Sequence, residues 1–308
     1  MLIDEAEAIR CLTACIKDAV RSCMHDRDRI GVALSGGIDS SLVAAIAASI
    51  DPDIELYAVG MHGSHDLNHA EKAAALLGME DRLRICECTE ADIESAIPQV
   101  LHAIMPRPAG GGIDGRHMRP LQTTNPVAAG IGICMYLVSR CAHEHGTRLL
   151  LTGQGADELF AGYKRYEQVF DDGALGIELD KDVLALPAQL ERDAAVAELC
   201  GVELCLPICN SDVVDIACGI DVRLKMRKDK GGYVRKYILR RVSEQYLPHR
   251  LAWAPKKAVQ YGTGVQNALH KMARRQGLGQ EEFLNRVFKD CHARSSQTLP
   301  KLQKTDAD

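Results

Sequence analysis

Two short stretches hold the residues best suited to chemistry. The first is Ser35-Gly36-Gly37-Ile38-Asp39-Ser40-Ser41, which follows an apolar run at 30–34. This pattern predicts a strand, a glycine turn and a helix that opens at the serines. A helix that starts after glycines offers unpaired N–H groups and a positive dipole end to an anion. Gly36 and Gly37 let the backbone approach that anion closely, and Ser35, Ser40 and Ser41 add hydroxyl donors. Asp39 is the exception. Beside a bound polyphosphate its carboxylate is repelled unless a divalent cation lies between them, so the turn predicts nucleotide phosphates with Mg2+. The second stretch, Gly153-Gln154-Gly155-Ala156-Asp157-Glu158, follows the apolar run at 148–152 and repeats the strand–turn–helix order. A helix cap needs one carboxylate and no glycine pair. This stretch therefore reads as a second nucleotide-facing loop, with Asp157 joining Asp39 around the metal.

The first loop is not a Walker loop, because the Gly-x-x-x-x-Gly-Lys-Ser/Thr spacing is absent and no lysine lies between Lys17 and Lys72. Residues 35–40 instead resemble the Ser-Gly-Gly-x-Asp-Ser signature of the PP-loop ATP pyrophosphatases. Residues 152–163 resemble the Ser-Gly-Glu-Gly-x-Asp-Glu-x-Phe-Gly-Gly-Tyr motif of the synthetase domain of asparagine and β-lactam synthetases. Tyr57-Ala58-Val59-Gly60 matches the adenine-side strand of that family. Leu190-Glu191-Arg192-Asp193 and the segment 201–207 echo its Arg-Asp and Gly-x-Glu-x-Arg-x-Pro region. Lys236-Tyr237-Ile238-Leu239-Arg240 and Trp253-Ala254-Pro255-Lys256-Lys257 match its late segments. The resemblance runs from about residue 5 to 265, in order.

The resemblance implies an enzyme that adenylylates a carboxylate, aspartate being the family's substrate, releases pyrophosphate and passes the acyl group to ammonia or another amine. It implies ATP held at Leu34, Ser35, Gly36, Gly37, Asp39, Ser40 and Ser41. Val59 would lie on the adenine side and Thr152-Gly153 at the second loop. Asp39 and Asp157 would hold Mg2+, with Lys256, Asp157 and Gln154 as the catalytic set. Lys256 would stabilise charge on the adenylate and the tetrahedral intermediate. Three departures stand out. Gln154 occupies the place of a glutamate thought to take a proton from ammonia, and glutamine cannot act as a base. Cys205 replaces an arginine, and Ile208-Cys209-Asn210 replaces Phe-Leu-Asp, so the acid bound could differ. Residue 2 is leucine, and 34 residues precede Ser35, so ammonia is expected free or from a separate glutaminase subunit. Two other readings stay open: a PP-loop RNA-modifying enzyme, or a nucleotide-binding subunit without catalysis.

The positioning elements can be read in order. Apolar residues at helical spacing predict a leading helix over 4–25. Strands are predicted at 55–60, 82–86 and 148–152, beside the one before Ser35. Helices are predicted from Ser64 to Leu77 with Gly78 as cap, from Thr89 to about 105, and over 126–145. Strands alternating with helices predict an α/β fold, a doubly wound parallel sheet with ligands at the strands' carboxyl ends, followed by a mostly helical C-terminal part. The expected division is a nucleotide-binding sheet over about 1–165, a helical part over 166–275, and a polar, partly flexible extension over 276–308. The Gly/Pro-rich stretch 106–120 reads either as a disordered insertion or as a mobile lid.

Composition narrows the partners. The 308 residues are 46% apolar but only 4% aromatic, so aliphatic packing dominates. A net charge of −5 gives no general pull toward nucleic acid or anionic membrane. The longest apolar run, 126–138, is short of the roughly 20 residues a spanning helix needs. A cytoplasmic protein acting on small molecules is expected, with no membrane or nucleic-acid partner and with a homo-oligomer left open. Twelve cysteines are expected as reduced, buried thiols, since zinc-type Cys-x-x-Cys pairs are missing. The basic run 223–241 reads mainly as a solvated helix face broken at Gly231-Gly232.

Overall fold

The computed structural model describes residues 4–104, 125–229, 231–254 and 262–297, with only the backbone of 292–297. The chain opens on α1 (Glu5–Met24), where Asp4 caps the helix by accepting from the Glu7 N–H at 2.8 Å. Ala8, Leu12, Ile16, Ala19 and Val20 form its buried stripe. There follow β1 (Ile30–Ala33), α2 (Ile38–Ile50), β2 (Glu55–Met61), α3 (His65–Leu77), β3 (Leu83–Cys88), α4 (Glu90–Ile104), α5 (Pro126–Glu144) and β4 (Leu149–Leu151). Gly78 ends α3 at φ 65°, in the left-handed region that favours glycine.

Beyond β4 come α6 (Ala156–Leu159), α7 (Tyr166–Phe170), α8 (Leu175–Glu198), β5 (Glu203–Cys205), α9 (Ser211–Gly219) and α10 (Val222–Lys225). The strands β6 (Met226–Asp229) and β7 (Gly232–Arg235) pair as an antiparallel hairpin. Helices α11 (Tyr237–Ser243), α12 (His249–Ala252), α13 (Val265–Arg275) and α14 (Gln280–Gln297) complete the order.

The five main strands are parallel, in the spatial order β3-β2-β1-β4-β5. Chain order reverses between β1 and β4, and a ligand crevice forms outside the strand ends at such a switch point. Helices cover both faces, and the strands are correspondingly apolar: Leu149, Leu150 and Leu151 are all buried. The pleat divides them. Leu149 and Leu151 pack with Val32, Leu56 and Ala58 into one core beside α1 and α2. Leu150 and Tyr57 face the other core, among α4, α5 and α13. The doubly wound parallel sheet expected from the sequence is the fold. Phe283 and Leu284 of α14 are buried in the second core, so the stretch after residue 276 begins with an integral helix. Among the described residues no helix is long and apolar enough to cross a membrane.

Two expectations need correction. Cys23 is joined to Cys205 and Cys86 to Cys141 by disulfides, with Cα separations of 6.0 and 6.1 Å. Spacing along the chain could not show that α1 lies against the end of β5, or β3 against α5. Nor is the basic run a solvated helix face. It forms α10, the β6–β7 hairpin and α11, and its cations meet acidic groups brought from afar. Arg227 and Arg241 both bind Glu5, Lys228 binds Asp171 and Arg235 binds Glu167. The stretch 106–120 lies outside the described residues, as does Lys256.

Candidate active site

The loop between β1 and α2 is built as its residue types require. Gly36 takes φ +73°, and a Cβ there would stand 2.4 Å from the backbone carbon of His69, so only glycine fits. Gly37 is the N-cap of α2 and makes no side-chain cap hydrogen bond, which leaves the helix start open to an anion. Ser40 braces the turn: its hydroxyl accepts from the Ser35 N–H at 3.1 Å and donates to the Gly37 carbonyl at 3.2 Å. Ser35 Oγ lies 3.1 Å from Ser40 Oγ. The Ser41 hydroxyl is fully buried and has no partner. Leu34 points into the first core, so only its backbone borders the loop. Val59 lies near the end of β2 and packs against the second core.

The second loop touches the first. A Cβ on Gly153 would come within 2.7 Å of the backbone carbon of Asp39 and of the Ser40 nitrogen. Glycine is therefore what lets the ends of β1 and β4 meet. Thr152 is tied to β5 by a hydrogen bond from its N–H to the Cys205 carbonyl at 3.1 Å. Gly155 follows at φ +85°, against Cys209, whose thiol donates to the Gln154 carbonyl at 3.3 Å. Burial pushes that thiol up to about 12.

Between the two loops stands a group that the sequence reading matched to a family segment but did not assign to the site. Lys236 is 1% exposed, and its Nζ lies 2.5 Å from Asp39 Oδ2 and 2.6 Å from Asp157 Oδ1. Burial would pull this ammonium down, yet Asp157 and Asp39 together hold it above its ordinary value. The backbone is committed to the arrangement as well: Lys236 has φ +56°, unusual for a residue with a side chain. Gly162 leaves the room, since a Cβ there would come within 1.8 Å of Asp157 Oδ1 and 2.2 Å of Lys236 Cε. The nearby Arg240 is anchored on the carbonyls of Arg235, Ala252 and Ala254. The sequence signal for Lys236 was its place in the Lys-x-x-Leu-Arg segment, but a basic run gives no sign of which cation is buried.

Three further groups complete the site. Gln154 donates through Nε2 to Asp193 Oδ2 at 2.6 Å, and its Oε1 accepts from the Thr152 hydroxyl at 3.2 Å. Asp193 is 2% exposed and also accepts from Arg192 Nε at 2.7 Å. Glu158 is buried and accepts from the Tyr163 hydroxyl at 2.6 Å; desolvation raises its carboxyl above the ordinary range. Thus Ser35, Gly36, Gly37, Asp39, Ser40, Thr152, Gly153, Gln154 and Asp157 lie in two adjoining turns and the first residues of the helices that follow them.

The cluster suits an oxygen-seeking divalent cation in one respect. Asp39 keeps Oδ1 buried without a hydrogen-bond partner, and Mg2+ is held by one or two carboxylates together with substrate phosphates. Among the described residues there is no group of three or more His, Cys, Asp or Glu able to hold a metal by themselves.

An open parallel sheet with a glycine-serine turn and a second glycine turn meeting at its switch point defines an α/β protein of the doubly wound class. Residues 12–175 and 181–298 match the family model described as asparagine synthase, and the chain belongs to that family. It is 34% identical over 314 residues to a Methanocaldococcus jannaschii protein named putative asparagine synthetase (glutamine-hydrolyzing) 1, covering 91% of this chain and 54% of that protein. It is 29% identical over 268 residues to the glutamine-hydrolyzing asparagine synthetase B of Escherichia coli, covering 82% and 45%. The chain spans about half the length of these relatives. Against the solved U34-tRNA thiolase NcsA of Methanococcus maripaludis, with its [4Fe–4S] cluster, it shows 13% identity and a TM-score of 0.38 over 97% of this chain and 84% of that one.

Proposed function

We propose that this chain is an ATP-dependent amide-forming ligase of the asparagine-synthetase type. A substrate carboxylate, aspartate foremost, attacks the α-phosphorus of ATP to give an acyl-adenylate and pyrophosphate. A nitrogen nucleophile then displaces AMP. The observation that carries this reading is the buried Lys236 between half-buried Asp39 and Asp157, at the joint between an uncapped helix start and a second glycine loop. In this reading the N–H groups opening α2 and the hydroxyl of Ser35 take the leaving pyrophosphate. Mg2+, when bound through Asp39 and Asp157, neutralises charge on the phosphates. Lys236 keeps the two carboxylates together and adds a fixed positive charge beside them. Lys256 is assigned to the second half of the reaction on the resemblance of its segment alone. The nitrogen source is free ammonia or a separate glutaminase subunit, and the reaction belongs in the cytoplasm. An RNA-modifying reading finds no support in the basic run, whose cations are largely engaged within the chain.

The deciding experiment measures pyrophosphate and AMP across a panel of carboxylates, amines and RNA. Aspartate with ammonium is expected to give both, together with an amide. ADP in place of AMP, or turnover with RNA alone, overturns the proposal.

A further inference from the structure

We propose that Asp193 is a positioning residue that sets the Gln154 amide with its carbonyl toward the site, making the β4 turn an acceptor for the N–H of the nitrogen nucleophile. This rests on the reading of the chain as an amide-forming ligase.

The assignment follows from what each group is able to do. An ionised carboxylate only accepts hydrogen bonds. Asp193 Oδ2 stands 2.6 Å from the Gln154 side chain, so the NH2 end must face it and the carbonyl end must face away. That carbonyl, Oε1, then lies beside the Thr152 hydroxyl at 3.2 Å, at the carboxyl end of β4. The other oxygen of Asp193 accepts from Arg192 Nε at 2.7 Å, which fixes the plane of the carboxylate. Backbone contacts hold the turn itself, through Cys209 on the Gln154 carbonyl and Thr152 on its N–H. Both partners are thus locked, and the glutamine cannot turn over without losing its bond to the acid.

The same geometry bears on which residues the pair tolerates. A glutamate at 154 would set a second carboxylate against one that is only 2% exposed, where burial strengthens the repulsion between them. Exchanging the two functions across the contact, with Gln154→Glu and Asp193→Asn together, restores one donor and one acceptor. The amide and the acid are therefore a matched pair.

The test uses the full chain with aspartate, ATP and ammonium as probes, and follows thermal unfolding alongside steady-state pyrophosphate release. Asp193→Asn frees the glutamine to rotate and is expected to raise KM for ammonium about tenfold, the scale of one lost hydrogen bond, with a smaller change in kcat. Gln154→Glu alone is expected to lower both melting temperature and turnover. The double variant is expected to recover the melting temperature and at least ten times the turnover of Gln154→Glu. A wild-type KM for ammonium in Asp193→Asn overturns the positioning role. So does a Gln154→Glu protein as stable as wild type, or a double variant no better than the single one. If wild type itself releases no pyrophosphate from aspartate and ammonium, the ligase reading with these substrates falls and the acceptor role falls with it. The stability comparison then still decides whether the two residues form a matched pair.

Discussion

Replacing Lys236 with methionine removes one positive charge while keeping most of the side-chain volume, so the change isolates electrostatics from packing. Asp39 and Asp157 are both held by the same ammonium, at 2.5 and 2.6 Å. Their oxygens therefore lie no more than about 5 Å apart. At that separation two unit charges repel by about 3 kcal/mol with an effective dielectric constant of roughly 20. Breaking a buried ion pair by removing one partner typically costs about 3–5 kcal/mol. The two routes agree, and Lys236→Met is expected to lose about 3–5 kcal/mol in urea unfolding at neutral pH. Millimolar Mg2+ should return part of that loss, because a divalent cation can take the place of the ammonium between the carboxylates. The wild type, already neutralised there, should respond less. Pyrophosphate release should fall about a hundredfold or more, the scale of losing a charge-stabilising contact. Wild-type stability in Lys236→Met would refute the bridging argument. An unfolding curve indifferent to Mg2+ would show that the freed carboxylates do not form a cation site.

Asp39→Asn and Asp157→Asn should each abolish pyrophosphate release with the fold intact, since asparagine still offers Lys236 an acceptor; near wild-type turnover at ordinary Mg2+ removes that residue from the metal site. Lys256→Ala should bind ATP but form amide about a hundredfold or more slowly, a loss of about 2.7–4 kcal/mol in the barrier; weaker ATP binding with normal turnover would make it a phosphate contact instead. Glu158→Gln tests the buried carboxyl. Its folded value is raised above the ordinary 4.5, so the wild type loses stability as pH climbs from the unfolded value toward the folded one. The variant should therefore match wild type below about pH 4 and exceed it near neutrality, and equal stability at both ends would show that Glu158 is comfortably ionised.

Much of the candidate site's geometry was legible because its parts are local. Gly36, Gly37 and Asp39 fall within four consecutive residues, and Gly153, Gln154, Gly155 and Asp157 within five. Each group sits between a short apolar strand and a helix, so the chemistry and the structural context are written in the same few positions. The alternation of strands and helices up to β4 predicted a parallel sheet, and such a sheet places both loops at one edge. Gly78 as a helix end follows from the same short-range rules.

What tertiary structure alone decided is everything that crosses long stretches of chain. Lys236 is 197 residues from Asp39, and Asp193 is 39 residues from Gln154. In sequence the first falls in a basic run of nine cations and the second in an Arg-Asp segment, both family-like, and neither place shows its partner. Only the return of the chain after the β6–β7 hairpin places Lys236 between two carboxylates. Only the packing of α8 against the β4 turn gives Gln154 its acid. The Cys23–Cys205 and Cys86–Cys141 pairs have the same origin, because a cysteine's type says that it can be joined and the fold says to which. Local patterns record how a residue bends its own backbone. Whether a charge is buried, and what neutralises it there, depends on partners that folding alone brings within a few ångströms.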